Sequence, residues 1–367
     1  MKKVFLGIVS ASLLLQGVTA YADVPRLYVN GNRVNTEIVM KDDHIYVPIR
    51  AVSESMGAEV TWDDTTRSAY IAFSEDEAIA KIVEDASPSV VTIVGNYKSG
   101  SSADRYNNPT VHGSGVVYKS NGYILTNAHV VEDILNLTVI FSDGTTVPGT
   151  VLYSDSVADL AVVKVDRIGL APIRMADPGT VVSGKTAIAI GTPISLSMRN
   201  SVTKGIVSGN GVTLSDSYYK LIQTDTPINP GNSGGPLLNA KGELIGITSS
   251  KFVGGNIDSI GFAIPVDTVA YAIRQFETFG KIIRADFGLA LEESWEARIG
   301  LPTPKGLTVK SSKNSALQNG DVIHSVNGIS VHSIADWNEA LKSTYNGITA
   351  EVVYERSGRE EKTLISQ

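Results

Sequence analysis

The stretch Asn229-Pro230-Gly231-Asn232-Ser233-Gly234-Gly235-Pro236-Leu237-Leu238, followed by a Lys241-Gly242 turn and then Leu244-Ile245-Gly246-Ile247, decides the fold. A serine stands between glycines at the tip of a loop that joins β-type runs. Glycines there permit a tight turn and close backbone approach, and they leave amides free to face an oxyanion. Read alone, Gly231-x-Ser233-x-Gly235 fits either a plain Gly-rich turn or a strand-to-helix nucleophile elbow. The elbow needs a helix directly after the serine, then an acid and a histidine in that order, drawn here from Asp321, His324, His332 or Asp336. Pro236 and the Leu244 strand stand where that helix is required, so the elbow fails on context.

Working outward, short Val/Ile/Thr runs alternate with Gly, Asn, Asp and Ser turns from Val90 to Pro265, and no long 3.6-residue period occurs before Val266 to Phe279. That is the pattern of an all-β barrel. Gly113-Ser114-Gly115 opens one strand, and after the Asn121-Gly122 turn the next runs through Tyr123-Ile124-Leu125-Thr126-Asn127-Ala128 into His129. His129 sits between an apolar strand and Val130-Val131, where an imidazole needs a polar partner. Asp159 stands at the mouth of Leu160-Ala161-Val162-Val163-Lys164-Val165, a strand too apolar to be a solvated face, and a buried carboxylate must be paired. Singly, the two have plainer readings, a satisfied core histidine and a cap at a strand start. Together His129, Asp159 and Ser233 occur in the order used by two-barrel serine hydrolases, each at a strand end or in a loop.

The whole chain has 367 residues, is 43% hydrophobic, carries 31 Lys plus Arg against 38 Asp plus Glu, and contains no Cys. That apolar content and length suit two or three packed domains. A net charge of −7 without a Lys/Arg cluster excludes a nucleic-acid footprint. The lack of Cys excludes disulfides, thiolate chemistry and Cys-based metal sites, and no cofactor or metal is called for.

At the N-terminus, Lys2 and Lys3 precede an apolar run from Val4 to Val18 and then Ala20-Tyr21-Ala22, the layout of an export signal cleaved after Ala22. The alternative is an uncleaved anchor, but Ser10, Ser12, Gln16 and Gly17 break a run shorter than the ~20 residues of a membrane span. Cleavage removes two Lys and no acid, which takes the charge from −7 to −9. From Leu27 to Phe73 the chain reads as hairpins around Tyr46-Val47-Pro48-Ile49-Arg50 and a short helix closed by Gly57. Val29-Asn30-Gly31, Tyr46 to Val52 and Met56 to Asp63 make it resemble the small domain named after the N-terminus of copper amine oxidases. No metal site follows from that name, and His44 beside Asp42 and Asp43 reads as a charged turn. Glu75 to Ala86 reads as a connecting amphipathic helix that Pro88 prevents from continuing.

Thr126 to Val131, Ala158 to Val165, Ser201 to Ser208, Gln223 to Leu237 and Ser259 to Pro265 together resemble the trypsin-like core of the HtrA/DegP family of envelope serine proteases. The resemblance implies that His129 is the general base, that Asp159 orients it, that Ser233 attacks, and that the loop Gly231, Asn232, Ser233 forms the oxyanion hole through the amides of Gly231 and Ser233. Thr226, Pro227 and Ile228 with Ile260, Gly261, Phe262 and Ala263 are expected to bind substrate. Their apolar character offers no partner to a basic P1 residue and favours Val, Ala or Leu. Asp225 is the one nearby acid.

Beyond the helix ending near Gly280, Phe287-Gly288-Leu289-Ala290-Leu291, Gly306 to Val309, Asn319 to Ile323, Val326-Asn327-Gly328 and a helix around Trp337 to Leu341 resemble a PDZ domain. Its loop at Phe287 to Leu291 would offer amides to a peptide carboxylate beside a free strand edge. The expected organisation is therefore multidomain and mainly β. It comprises a signal peptide (1–22), a small α+β domain (23–74), a helical linker (75–87), a chymotrypsin-like double β-barrel protease (88–280) and a PDZ domain (281–367). The implied function is a secreted or envelope serine endopeptidase acting on unfolded proteins, with PDZ-bound C-terminal peptides, cell-wall contact through the N-terminal domain, and a homo-oligomer that family resemblance makes a trimer. The alternatives are an envelope chaperone or a cell-wall adaptor with little turnover.

Overall fold

In a computed structural model the described residues are 25–29, 31–97, 110–214, 217–252, 259–345 and 347–367, so the expected signal segment lies outside them. The chain divides into two compact units, Met1–Ala78 and Ile79–Gln367.

In the first unit three separate antiparallel hairpins pair Leu27–Val29 with Asn32–Val34, Val39–Lys41 with His44–Tyr46, and Ala58–Asp63 with Ser68–Phe73. The helix Ile49–Ser55 precedes the last of these, and Arg50 reaches from it to Glu54 and to the carbonyl of Val60. His44 Nδ1 bonds the carbonyl of Asp42 at 2.6 Å within its turn. Among the described residues no group of three or more His, Cys, Asp or Glu is placed to hold a metal ion.

The second unit contains two closed six-stranded barrels. The first runs Ile134–Ile140, Thr146–Asp155, Leu160–Val165, Tyr123–Thr126, Thr110–Lys119 and Val90–Tyr97. The second runs Thr186–Gly191, Ser201–Val212, Leu221–Thr224, Gly261–Pro265, Leu244–Ser249 and Pro236–Leu238. Both barrels are antiparallel throughout, in keeping with the double-barrel expectation.

Burial explains why the inner strands read as apolar runs, whereas Thr146–Asp155 and Ser201–Val212 stay largely exposed. In Leu160–Val165, Ala161, Val163 and Val165 fill the first barrel, while Leu160 and Val162 join a second cluster shared with Ile188, Ile190, Leu238, Leu244 and Ile247. A strand buried on both faces has no solvated side to carry polar residues. That shared seam also takes Val269, Ala272 and Phe276 of the helix Val266–Phe279, which ends at Gly280 with φ 73°.

The last part of the chain forms a separate sheet in the order Leu289–Glu292, Leu307–Ser312, Val322–Val326, Thr349–Arg356, Arg359–Ser366, with Ile329–Ser330 paired to Val322–Val326. The helix Ile334–Thr344 begins at a capping box of Ser333 and Asp336. Phe287, Trp337 and Tyr345 meet edge to face in its core. Its outer side rests on the barrels. The ammonium of Lys342, 6% exposed, reaches Asp267 and Thr268 at 2.7 Å, Asn338 Nδ2 donates to the carbonyl of Tyr218, and Glu339 accepts from the amide of Lys220.

Candidate active site

His129 lies in a one-turn helix, Ala128–Val131, directly after the strand Tyr123–Thr126. Asp159 precedes Leu160–Val165 in the left-handed region, φ 52°, and is fully buried. That conformation is costly for a residue with a Cβ, and several contacts hold it. Asp159 Oδ1 accepts from the His129 amide at 3.2 Å and lies 2.8 Å from Nδ1, while Oδ2 lies 2.9 Å from Nδ1. Ser249 Oγ donates to Oδ2 at 2.9 Å, and Asn127 Nδ2 donates to the Asp159 carbonyl at 2.9 Å. A carboxylate at Nδ1 fixes the ring orientation and directs Nε2 outward.

The loop carrying Ser233 is built by hydroxyls from both barrels. Ser114 Oγ donates to the carbonyl of Gly231 at 2.8 Å and accepts from Thr192 N at 3.0 Å, and the Ser114 amide donates to the Ser233 carbonyl at 2.8 Å. Thr248 Oγ1 donates to the carbonyl of Asn232, and Thr248 exchanges backbone bonds with Gly234 and Gly235. Glycines are compulsory here. At Gly231, φ 101°, a Cβ would lie 2.1 Å from the Thr192 carbonyl oxygen, and at Gly234, φ 86°, one would lie 2.2 Å from the Ser114 carbonyl oxygen. Among the described residues the amides of Gly231 and Ser233 bond no acceptor, although both residues are buried.

Ser233 Oγ lies 2.6 Å from Ser250 Oγ and accepts from the Ser250 amide at 3.0 Å. Among the described residues no hydrogen bond joins it to His129. The dipeptide Ser249-Ser250 therefore holds Asp159 with one hydroxyl and Ser233 with the next.

The expected substrate-binding residues divide. Thr226 is buried, its hydroxyl bonded to Thr224 and to the Ala187 carbonyl, while Phe262 packs in the inter-barrel seam and Ala263 inside the second barrel. Pro227 accepts from Thr203 Oγ1 through its carbonyl. Ile228 and Gly261 face each other so closely that a Cβ on Gly261 would lie 2.7 Å from Ile228 Cγ1, and Ile260 is exposed. Asp225 is committed to the amide of Ile206 at 2.6 Å.

In the C-terminal sheet, Phe287 is a core residue, Gly288 (φ 66°) donates its amide to Asp286 Oδ1 at 2.9 Å, and Leu289, Ala290 and Leu291 pair with Leu307–Ser312. A cleft of about 910 Å³ opens between this module and the second barrel, with Val212, Leu214 and Lys220 on one side and Arg298, His332 and Asp336 on the other. His129, Asp159 and Ser233 do not line it.

The roles of Ser114, Thr248, Ser249 and Ser250 do not follow from the sequence alone. The available signal was Thr248-Ser249-Ser250, three hydroxyls closing the otherwise apolar strand that follows the Ser233 loop.

Two family models match the chain, a trypsin-like peptidase domain over residues 113–247 and a copper amine oxidase N-terminal domain over residues 28–88. A serine protease Do-like HtrA of Lactococcus lactis is 30% identical over 388 residues, covering 98% of this chain and 92% of its own. A probable periplasmic serine endoprotease DegP-like of Pseudomonas putida is 36% identical over 72% of this chain, which spans 57% of that relative's length. The solved structure of the HtrA-type protease AlgW with decapeptide has a TM-score of 0.65 at 28% identity, covering 78% of this chain and 97% of that one. On the barrels, the order of the three residues and a relative aligned along nearly its whole length, the chain belongs to the HtrA/DegP family of trypsin-like serine proteases.

Proposed function

We propose that the chain is a serine endopeptidase that cleaves unfolded or misfolded proteins outside the cytoplasmic membrane. The observation that carries this reading is the bond of His129 to the fully buried Asp159, beside a serine whose own amide, like that of Gly231, bonds no acceptor among the described residues. His129, held at Nδ1 by Asp159, takes the Ser233 proton at Nε2 as Oγ attacks the scissile carbonyl. Charge developing on the carbonyl oxygen meets the amides of Gly231 and Ser233, with Asn232 spanning them; one such donor is worth ~10²–10³ in kcat. His129 then passes the proton to the leaving amine, and water repeats the sequence on the acyl-enzyme.

Location outside the membrane rests on the export-type N-terminus and on relatives named periplasmic. The C-terminal sheet and helix act as a PDZ domain that takes a C-terminal peptide along Leu289–Glu292, a role supported by its element order and by a solved relative named with a decapeptide. The N-terminal domain makes the cell-wall contact, and the working form is a homo-oligomer, a trimer by family resemblance.

Turnover of an unfolded protein substrate tests the reading. Ser233→Ala and His129→Ala should each lower kcat by ~10⁶, because the members act as a unit. Asp159→Asn should cost ~10⁴ through the wrong imidazole tautomer. Wild-type turnover by any of these variants, shown to be folded, would remove the assignment.

A further inference from the structure

A serine hydroxyl has one proton and two acceptor lone pairs, and general-base attack requires that proton to face the imidazole. In this structure the Ser233 hydroxyl is engaged elsewhere. One acceptor position is filled by the Ser250 amide at 3.0 Å, and the 2.6 Å contact with Ser250 Oγ consumes either the Ser233 proton or its second lone pair. In the first case no proton remains to give to His129. In the second, Oγ is a double acceptor, with the electron pairs needed for attack tied up in hydrogen bonds.

His129 cannot move to meet the hydroxyl, because its ring is held through Nδ1 by both oxygens of Asp159 and its amide is held by the same carboxylate. The Ser233 backbone is equally fixed, since its carbonyl accepts from Ser114 N and the next amide, of Gly234, donates to Thr248 O. The remaining freedom is rotation about the Ser233 Cα–Cβ bond, which takes Oγ away from Ser250.

We propose that Ser250 is a positioning residue that parks Ser233 Oγ away from the general base in the resting enzyme, so that attack requires the hydroxyl pair to break first. The inference rests on Ser233 being the nucleophile, as argued above. Ser250 is well placed for this task. It is partly buried, directly follows the strand Leu244–Ser249, and is adjacent to the residue that braces Asp159, so its position is set by the same strand end that sets the acid. Removing its hydroxyl leaves the backbone donor in place, so the restraint should weaken rather than vanish.

The test is the second-order rate of labelling by a fluorophosphonate, in which Ser233 Oγ displaces fluoride from phosphorus and the proton passes to His129. It is run on the full chain with the labelled residue mapped by mass spectrometry. Ser250→Ala, which lacks one hydrogen bond to Oγ, should label roughly two- to tenfold faster than wild type. Ser250→Thr, which restores a hydroxyl at that position, should return to within about twofold of wild type, a rescue that a purely structural role for Ser250 does not predict. Labelling of Ser250→Ala at or below the wild-type rate, or Ser250→Thr as fast as Ser250→Ala, overturns the inference while leaving the protease reading intact. Label found in the wild-type chain on a residue other than Ser233 overturns both.

Discussion

Arg284 lies outside the segment that carries His129, Asp159 and Ser233, yet its removal should reach them. Its guanidinium forks onto Asp155, with Nη1 to Oδ2 at 2.8 Å and Nη2 to Oδ1 at 2.6 Å, and Asp155 Oδ1 also accepts from the Ala158 amide at 2.7 Å. Asp155 thus closes the turn that delivers Asp159 in its left-handed conformation, and Arg284 holds Asp155. The two side chains retain 20% and 13% of their exposure, so the pair sits between the surface case, worth about 0–1 kcal/mol, and the buried case, where loss of one partner costs about 3–5 kcal/mol. The guanidinium also lies 5.0 Å from the Tyr218 ring, worth about 0.5–1 kcal/mol. Arg284→Met should therefore destabilise the barrels by about 2–3 kcal/mol, or about 5 °C in Tm for a unit of this size. Asp159 keeps its bonds to His129 and Ser249, so kcat/KM should fall by about tenfold, well short of the ~10⁴ expected when the acid itself is lost. Differential scanning calorimetry and peptide turnover on the same preparations measure both. A variant with unchanged Tm and unchanged kcat/KM would show that Arg284 does not stabilise the Asp159 turn.

Two further outcomes follow from other parts of the molecule. Cleavage-site profiling on an unfolded protein should return Val, Ala and Leu at P1, because Ile228 and Gly261 face each other and Asp225 is bonded to the Ile206 amide; a profile dominated by Arg and Lys contradicts this. In the C-terminal sheet the Arg356 guanidinium beside Asp321 holds its carboxyl below the usual carboxylate range. A depressed folded-state pKa gives stability that is present above the unfolded value, about 3.9, and lost as pH falls through the folded value. Protection against hydrogen exchange in Leu307–Ser312 and Val322–Val326, taken relative to the intrinsic rate at each pH, should therefore fall below about pH 4, and Asp321→Asn should flatten that dependence; parallel profiles for the two proteins contradict the assignment.

Much of the fold was legible because its signals are local. The helix Val266–Phe279 and its glycine stop occupy the residues that the periodicity marks, and apolar runs such as Leu160–Val165 and Leu244–Ser249 are barrel strands buried on both sides. The helix expected around Trp337 to Leu341 extends over Ile334–Thr344, since Ser333 and Asp336 cap it a turn earlier, a signal present in the sequence as Ser-x-x-Asp. Asp159 and Ser233 stood out because a buried carboxylate needs a partner and a Gly-flanked serine needs a reason; His129 stood out by its apolar neighbours, yet its side chain keeps 31% of its exposure and only its bond to Asp159 matches that reading. Hydroxyls give no such signal. The parts played by Ser114 and Ser249 depend on which strand ends meet across two barrels, separations of 117 residues for Ser114 with Gly231 and 90 for Ser249 with Asp159, and that of Ser250 on how the Ser233 loop folds back over 17 residues. The same applies to Arg284, which finds Asp155 across 129 residues. Period-two alternation at Phe262 and Ala263 sends one side chain to the seam and the next into the barrel, a distinction that depends on the partner strands.

Everything proposed for this chain depends on Ser233 being a nucleophile activated by His129. Labelling of the full chain with a fluorophosphonate, followed by peptide mapping, tests it most directly. One adduct is expected, on Ser233, absent from Ser233→Ala and from His129→Ala at matched folding. An unlabelled but folded wild-type chain, or an adduct that persists in Ser233→Ala, would contradict it.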